Sequence, residues 1–235
     1  MSERTIGIIG AMELEVEKLI EAMTDKEEVE YARRKFFIGR LNGVKTVLAR
    51  CGVGKVNAGV TVQMMVDKFG IDAIINTGVA GSLNEKIDIG DIVLATGAVY
   101  HDMEAVAFGY KPGQVPQMDI FEFPTDPELI QAAEDACHRV NPEIKTFRGR
   151  VASGDQFIAD RETKNRIKST FDPMCVEMEG CAMAHAAYLN DIPCLIIRAI
   201  SDKADDSAEM DYPTFEAKAA VHCANMVEEM FRNMK

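Results

Sequence analysis

The sequence predicts an α/β fold, with a central mixed, largely parallel sheet that helices cover on both faces. Short apolar runs alternate with segments whose apolar residues recur at helical spacing. Several of these runs are apolar throughout, which is typical of strands buried on both sides. The chain has 235 residues, and no linker, repeat or low-complexity tract divides it. We therefore predict one domain over residues 1–235.

Each predicted element follows from a local pattern. Strands are expected where apolar runs end in small or polar residues: TIGIIGAM (5–12), TVLARCGVG (46–54), DAIINTGVAG (72–81), GDIVLATGAVYHD (90–102), RGRVASGDQF (148–157) and IPCLIIRAIS (192–201). Helices are expected at ELEVEKLIEAM (13–23), NAGVTVQMMVDKF (57–69), a segment starting at Pro127 with Asp126 as its N-cap, EGCAMAHAAYL (179–189), and a long final helix after Pro213.

Composition excludes several classes of function. The net charge of −12 argues against nucleic-acid binding, which needs a basic face. No apolar run is long enough to span a membrane, so we expect no membrane partner. The six cysteines form no C-x-x-C pair, and we expect buried thiols in a reducing cytoplasm. The isolated histidines, His101 and His185 among them, have no metal-binding spacing, so we expect no metal and no cofactor.

The segment GVGKVNAG (52–59) is rich in glycine but does not match a nucleotide-binding loop. A phosphate-binding loop of the Walker type would need Gly at Ala49 and Ser or Thr at Val56. A dinucleotide fingerprint would need Gly at Asn57. A tight turn that lets a helix approach the sheet is the favoured interpretation of this segment.

Acidic residues follow the predicted strands at three places. Glu15 lies after the first strand, Glu177 and Glu179 lie in the otherwise apolar segment CVEMEGCA, and Asp202 follows the last strand. Because the carboxyl ends of parallel strands gather at one edge of a sheet, these side chains can share one pocket. Taken singly, each has a simpler explanation: a helix first turn, as for Glu13 and Glu17, a cap, or a turn.

Several acids without a basic cluster suit a reaction that develops positive charge on its substrate. Cleavage of a glycosidic bond is such a reaction, because one acid protonates the leaving group and a carboxylate activates water. Met12, Met178 and Phe157 would supply an apolar wall for a flat or thioether-bearing ligand.

Eight short motifs together resemble a known family over nearly the whole chain. In order they are IGIIGAMELEV, CGVGKVNAG, INTGVAGSL, GDIV, YHDMEAVAFGY, SGDQFI, VEMEG and RAISD. Their order and spacing are similar to those of the 5′-methylthioadenosine/S-adenosylhomocysteine nucleosidases, within the nucleoside phosphorylase superfamily. The resemblance implies a partly barrel-like sheet, a homodimer, and hydrolysis of the bond between adenine and a 5′-thio-substituted ribose.

The resemblance also implies roles for individual residues. Asp202 would be the general acid that protonates adenine at N7, with Ser201 placing it. Glu15 would be the base that activates water, and Arg198 would support the site without reacting. Glu177 has no implied role, and we expect it to be structural.

The remaining residues would bind substrate. Glu179 would bind the ribose hydroxyls with Met178 against the sugar, while Phe157 would stack on adenine and the backbone of Ile158 would read the base edge. Further members of the predicted substrate-binding set are Met12, Val53, Gly81 and Phe215, together with Phe108 and Pro116, which would reach into the site of the neighbouring subunit.

Two positions depart from the family pattern. Val79 stands where the family often has Ser, and Ala105 stands where a larger apolar residue is usual. Three alternatives stay open: a nucleoside phosphorylase on the same fold, a non-catalytic nucleoside-binding protein, and a hydrolase of aminodeoxyfutalosine. The phosphorylase is disfavoured because a phosphate would meet the acids near Glu15, and the binding protein because it needs no catalytic acid and base.

Overall fold

The fold is built on one ten-stranded sheet. The computed structural model describes residues 3–234. The strands are β1 (Thr5–Gly10), β2 (Thr24–Tyr31), β3 (Arg34–Leu41), β4 (Val44–Arg50), β5 (Ala73–Ser82), β6 (Ile92–Tyr100), β7 (Phe123–Pro124), β8 (Thr146–Ser153), β9 (Cys175–Glu177) and β10 (Cys194–Asp202).

Part of this sheet closes on itself. The strand order is β10-β6-β8-β9-β5-β1-β4-β3-β2, and β10 also pairs with β5, which joins five strands into a ring. Strands β4, β1, β5 and β10 run parallel, whereas β6 meets β10 and β9 meets β5 in antiparallel fashion. The predicted α/β fold with a mixed, partly barrel-like sheet is confirmed.

Six α-helices within residues 3–234 cover the sheet. They are α1 (Glu13–Ala22), α2 (Lys55–Phe69), α3 (Pro127–Val140), α4 (Arg161–Phe171), α5 (Gly180–Leu189) and α6 (Ala208–Asn233). Helices α2 and α5 contribute to one buried apolar cluster, and α1, α3 and α6 contribute to a second one. The two layers explain why the central strands are apolar on both faces.

Local chemistry sets several element boundaries. Asp126 caps α3 as predicted, with Oδ1 accepting hydrogen bonds of 2.9 Å from the backbone N–H of Glu128 and of Leu129. Pro127 takes the first helical position, where its missing N–H leaves no bond unmade. All six cysteines are buried and free of disulfides, as predicted.

Some predicted boundaries were wrong. The pattern of DAIINTGVAG predicts a strand that runs into a glycine loop, but both glycines lie inside β5, because the strand continues to Ser82. Helix α6 begins at Ala208, so Pro213 is its sixth residue and not a start signal. Strands β2, β3, β7 and β9 and helix α4 were not predicted; β2 is almost entirely exposed and therefore carries little apolar pattern.

No helix within residues 3–234 is both long and apolar enough to cross a membrane.

Candidate active site

The predicted acidic residues lie together in one pocket at the ends of β1, β5, β9 and β10. Ten predicted site residues line it: Met12, Glu15, Val53, Gly81, Phe157, Ile158, Met178, Glu179, Ser201 and Asp202. The parallel arrangement of β1, β5 and β10 places their carboxyl ends at one edge, as the sequence pattern predicted.

Glu15 is buried in the first turn of α1, although it carries a carboxylate. Its Oε2 accepts hydrogen bonds from the backbone N–H of Ala11 (2.6 Å) and Met12 (2.9 Å), and its Oε1 accepts one from Val79 (3.0 Å). Burial raises the pKa of Glu15, while Arg198 and these N–H groups oppose the rise. Glu15 is therefore fixed in place with a pKa closer to neutrality than that of an exposed glutamate.

Gly78 on β5 leaves the space that Glu15 occupies. A Cβ at this position would lie 2.5 Å from Glu15 Oε1 and 3.2 Å from Arg198 Nη1. The glycine in NTGVAG is thus required by side-chain packing, since its φ is not in the left-handed region. The departure at Val79 leaves the bond to Glu15 intact, because the donor is the backbone N–H.

Glu179 lines the same pocket and is the residue directly before α5. Its Oε1 accepts a 2.7 Å hydrogen bond from the backbone N–H of Gly54, whose φ of 98° belongs to the left-handed region. The predicted tight turn in GVGKVNAG therefore serves the site by aiming an N–H at this carboxylate. Burial, and then the nearby charge of Glu177, raise the pKa of Glu179 to about 8.

Glu177, which also lines the pocket, forms a buried ion pair with Arg198. Arg198 is 1% exposed, and its guanidinium donates through Nη2 to Glu177 Oε2 and to Asn76 Oδ1. Ser153 Oγ donates to Glu177 Oε1, and the N–H groups of Glu179 (3.0 Å) and Gly180 (2.7 Å) donate to Oε2. Burial opposes ionisation of Glu177, but Arg198 and these donors outweigh it and lower its pKa.

This network gives Glu177 a defined place. It holds the turn that leads into α5, and therefore the backbone of Glu179. Arg198 does not line the pocket, whereas Glu177 does. That both residues support the site without reacting stays a prediction.

Asp202 is the last residue of β10 and is a buried member of the pocket lining. Ser201 Oγ donates to Asp202 Oδ2 at 2.8 Å, and the backbone N–H of Ala204 donates to Oδ1 at 2.8 Å. Burial raises the pKa of Asp202, and these two donors oppose the rise. Gly81 faces this carboxylate, where a Cβ would lie 2.7 Å from Asp202 Oδ1.

An aromatic pair forms the wall beside Asp202. The rings of Phe157 and Tyr212 meet edge to face, with centroids 5.5 Å apart and planes at 79°. Phe157 is 51% exposed, which leaves much of its surface free for a planar ligand. The Tyr212 hydroxyl lies 3.1 Å from Met12 Sδ, so Tyr212 connects the Phe157 wall to the Met12 wall.

Three predicted binding residues lie elsewhere. Phe215 lines a separate surface cavity with Ile89 and Ala219, and Tyr212 of the same helix takes the position in the pocket that was predicted for Phe215. Phe108 and Pro116 do not line the pocket of their own chain.

Other acids near Glu15 do not join it. Glu13 is 62% exposed on its side chain and pairs with Arg50 at 3.3 Å, and Glu17 is exposed as well. The exposure of Glu13 and Glu17 agrees with their interpretation as acids on the first turns of a helix, and Glu15 lines the pocket without them. Lysine and arginine side chains are absent from the pocket lining within residues 3–234, where no cluster of three metal-binding side chains occurs either.

Comparison with known proteins agrees with this geometry. Residues 5–232 match the family model of the phosphorylase superfamily. The chain is 40% identical over 228 residues to a 5′-methylthioadenosine/S-adenosylhomocysteine nucleosidase from Staphylococcus haemolyticus, covering 97% of this chain and 99% of the relative. The chain therefore belongs to the phosphorylase superfamily and, within it, to the 5′-methylthioadenosine/S-adenosylhomocysteine nucleosidase family.

Solved structures show the same relation. The nucleosidase from Neisseria meningitidis, in complex with methylthio-immucillin-A, superposes with a TM-score of 0.94 at 38% identity over 98% of this chain and all of that one. A futalosine hydrolase from Helicobacter pylori superposes with a TM-score of 0.93 at 31% identity over 98% of both chains. The fold is thus shared by hydrolases with different nucleoside substrates.

Proposed function

We propose that this protein hydrolyses the N-glycosidic bond of 5′-methylthioadenosine and S-adenosylhomocysteine, releasing adenine and a 5-thio-substituted ribose. The observation that carries the proposal is the convergence of Asp202, Glu15 and Glu179 on a single pocket without a cation in its lining. The identity of its relatives supports the same function.

Asp202 acts as the general acid. Its raised pKa favours the protonated form, which can donate to N7 of adenine as the bond to the ribose breaks. Ser201 and the N–H of Ala204 hold the carboxyl group in place and stabilise the carboxylate that remains after proton transfer. Phe157 packs against the leaving base.

Glu15 acts as the general base. One carboxylate must be ionised to take a proton from water. Burial raises the pKa of Glu15, but Arg198 and three backbone N–H groups oppose that rise and stabilise the carboxylate as an acceptor for the proton. The water that it deprotonates attacks the anomeric carbon, whose charge is positive once the bond to adenine has lengthened. The new C–O bond completes hydrolysis.

Glu179 binds the ribose hydroxyls from the side opposite Asp202. A pKa of about 8 means that the empty site holds a protonated carboxyl at neutral pH. Positive charge that develops on the sugar favours ionisation, so the interaction strengthens as the bond breaks. Met178 packs beside the sugar.

Water is favoured over phosphate as the nucleophile. A phosphate anion is usually bound by arginines or by a loop rich in N–H donors. Here Arg198 is committed to Glu177 and Asn76, and the N–H of Gly54 is committed to Glu179. A dianion in the pocket would also face the carboxylate of Glu15.

We further propose that the protein is a homodimer in the cytoplasm and that each partner closes the 5′ end of the other's pocket. The segment that contains Val106, Phe108 and Pro116 supports this, because Phe108 is 84% exposed and Val106 is 47% exposed beside a short 3₁₀ turn. Sedimentation at micromolar concentration should give twice the chain mass. A fully active monomer would contradict the dimer proposal.

Adenine release from a panel of nucleosides tests the function itself. The panel comprises 5′-methylthioadenosine, S-adenosylhomocysteine, 5′-deoxyadenosine and aminodeoxyfutalosine, each with and without phosphate. We expect turnover of the first two in both conditions. If adenine is released from aminodeoxyfutalosine alone, the two proposed substrates are wrong and the protein is a hydrolase of aminodeoxyfutalosine.

A further inference from the structure

A second cavity adjoins the active-site pocket, and basic side chains dominate its wall. It has a volume of about 530 Å³, which is enough for a substituent the size of an amino acid. The two cavities share three lining residues: Ala11, Met12 and Val53. Four cationic side chains line the second cavity: Arg33, Arg34, Lys35 and Arg50. Such a concentration of positive charge is unexpected in a chain with a net charge of −12.

Arg34 is held in a fixed position beside the active-site loop. Its Nη1 donates to the carbonyl of Cys51, and its Nη2 donates to Asn57 Oδ1. These two bonds leave three of the five guanidinium N–H groups for another acceptor. Since Cys51 leads into the turn that carries Val53, an anion bound to Arg34 would lie next to the active-site pocket.

Arg33 lies at the turn between β2 and β3. Ala32 and Arg33 have φ values of 50° and 59°, a conformation that two-residue hairpin turns usually obtain with Asn-Gly. The chain thus accepts a strained conformation at a position that puts an arginine on the cavity wall. Within residues 3–234 Arg33 makes no ion pair.

The other charged groups on this wall are accounted for. Lys35 pairs with Glu28 at 2.8 Å, and Arg50 pairs with Glu13 at 3.3 Å. Glu30 lines the same cavity and is exposed. The wall therefore presents two arginines that can bind a carboxylate and one glutamate that can bind an ammonium group.

We propose that this cavity binds the amino-acid end of a long 5′-thioether substituent, with its carboxylate on Arg34 and Arg33 and its ammonium group on Glu30. The proposal rests on the nucleosidase function and deepens it, because it makes these residues determinants of substrate preference. S-adenosylhomocysteine carries such a group, whereas 5′-methylthioadenosine ends in a neutral methyl group and cannot use the cavity.

Substrate comparison tests this inference. In the double variant Arg33→Ala/Arg34→Gln, the ratio of kcat/KM for S-adenosylhomocysteine to kcat/KM for 5′-methylthioadenosine should fall about tenfold, as expected for loss of charge-assisted hydrogen bonds. The matched control is Arg148→Ala. Arg148 is an exposed arginine on β8 that pairs with Glu134 on α3, and its loss should leave the ratio unchanged. Added salt should lower the ratio in the parent more than in the double variant.

The outcomes are distinct. An unchanged ratio in the double variant, or an equal fall in Arg148→Ala, would overturn the proposal. Loss of Arg34 can disturb the loop and lower kcat/KM equally for both substrates. In that case the single variant Arg33→Ala tests the proposal, because Arg33 is exposed at a turn and its loss should leave the loop intact. A parent that releases adenine from neither nucleoside would contradict the proposed function instead.

Discussion

Two carboxylates separated by one residue have opposite environments. Glu177 lies against the guanidinium of Arg198, which keeps its pKa low although the side chain is buried. Within residues 3–234 the carboxylate of Glu179 has one backbone N–H donor and no ion pair, and burial followed by the charge of Glu177 raises its pKa to about 8. Burial alone therefore does not decide the charge of an acid in this site.

This comparison distinguishes an acid that stabilises the structure of the site from acids that can act on the substrate. The carboxylate of Glu177 is hydrogen-bonded to Ser153 and to the backbone N–H groups of Glu179 and Gly180, so it holds this part of the backbone in place. Glu179 and Asp202 lack a cationic partner and line the pocket, and both have raised pKa values. Groups whose charged form is poorly satisfied by the protein are the ones that a cationic transition state can stabilise.

The first prediction concerns stability. Glu177→Gln leaves Arg198 buried without its charge partner, and we expect the free energy of unfolding to fall by about 3–5 kcal/mol. Glu179 is ionised in the unfolded chain at pH 7 but must take up a proton when the protein folds, so Glu179→Gln removes that cost and should raise the unfolding free energy. Urea unfolding of both variants measures this, and equal losses would contradict the distinction.

The second prediction concerns catalysis. Asp202→Asn removes the proton donor, so kcat should fall by about 10²-fold or more while the substrate still binds. Asp206→Asn is the matched control, because Asp206 is 65% exposed on its side chain and pairs with exposed Arg161. Turnover of Asp202→Asn within a few-fold of the parent would reduce Asp202 to a structural residue at the end of β10.

The third prediction is a pH dependence of stability that comes from Glu179. In the folded, empty protein Glu179 retains its proton up to about pH 8, whereas in the unfolded chain it loses the proton near its ordinary pKa of 4.5. The folded state therefore binds the extra proton between these values, and its stability falls as the pH rises from about 5 to 8. The difference in unfolding free energy between the parent and Glu179→Gln should follow that fall; a constant difference would contradict the raised pKa.

Much of this site could be predicted because it lies at strand ends. Buried parallel strands leave a clear apolar pattern, and the acids that interrupt it at Glu15, Glu179 and Asp202 stand out in the sequence. Their meeting in one pocket follows from strand direction. The tight turn at Gly54 was predicted correctly. The hydrogen bond from the Gly54 N–H to Glu179 could not be predicted, because the two residues are 125 positions apart in the chain.

The remaining features depend on tertiary contacts that leave little local pattern. The hairpin β2–β3 is nearly all exposed on its β2 side, so no alternation reveals it, and the basic cavity that it lines was missed with it. Tyr212 was missed because Pro213 suggested a helix start, whereas α6 begins five residues earlier. The partners of Glu177 come from β8 and β10 and become visible only when the ring closes.

The most direct test of the account identifies the sugar product. The parent enzyme is incubated with 5′-methylthioadenosine in phosphate buffer, and phosphorus NMR together with chromatography separates free 5-methylthioribose from its 1-phosphate. With water activated by Glu15, we expect only the free sugar, a rate independent of phosphate at constant ionic strength, and loss of most activity in Glu15→Gln that phosphate does not restore. A sugar 1-phosphate, or a rate that rises with phosphate, would contradict hydrolysis and identify a phosphorylase.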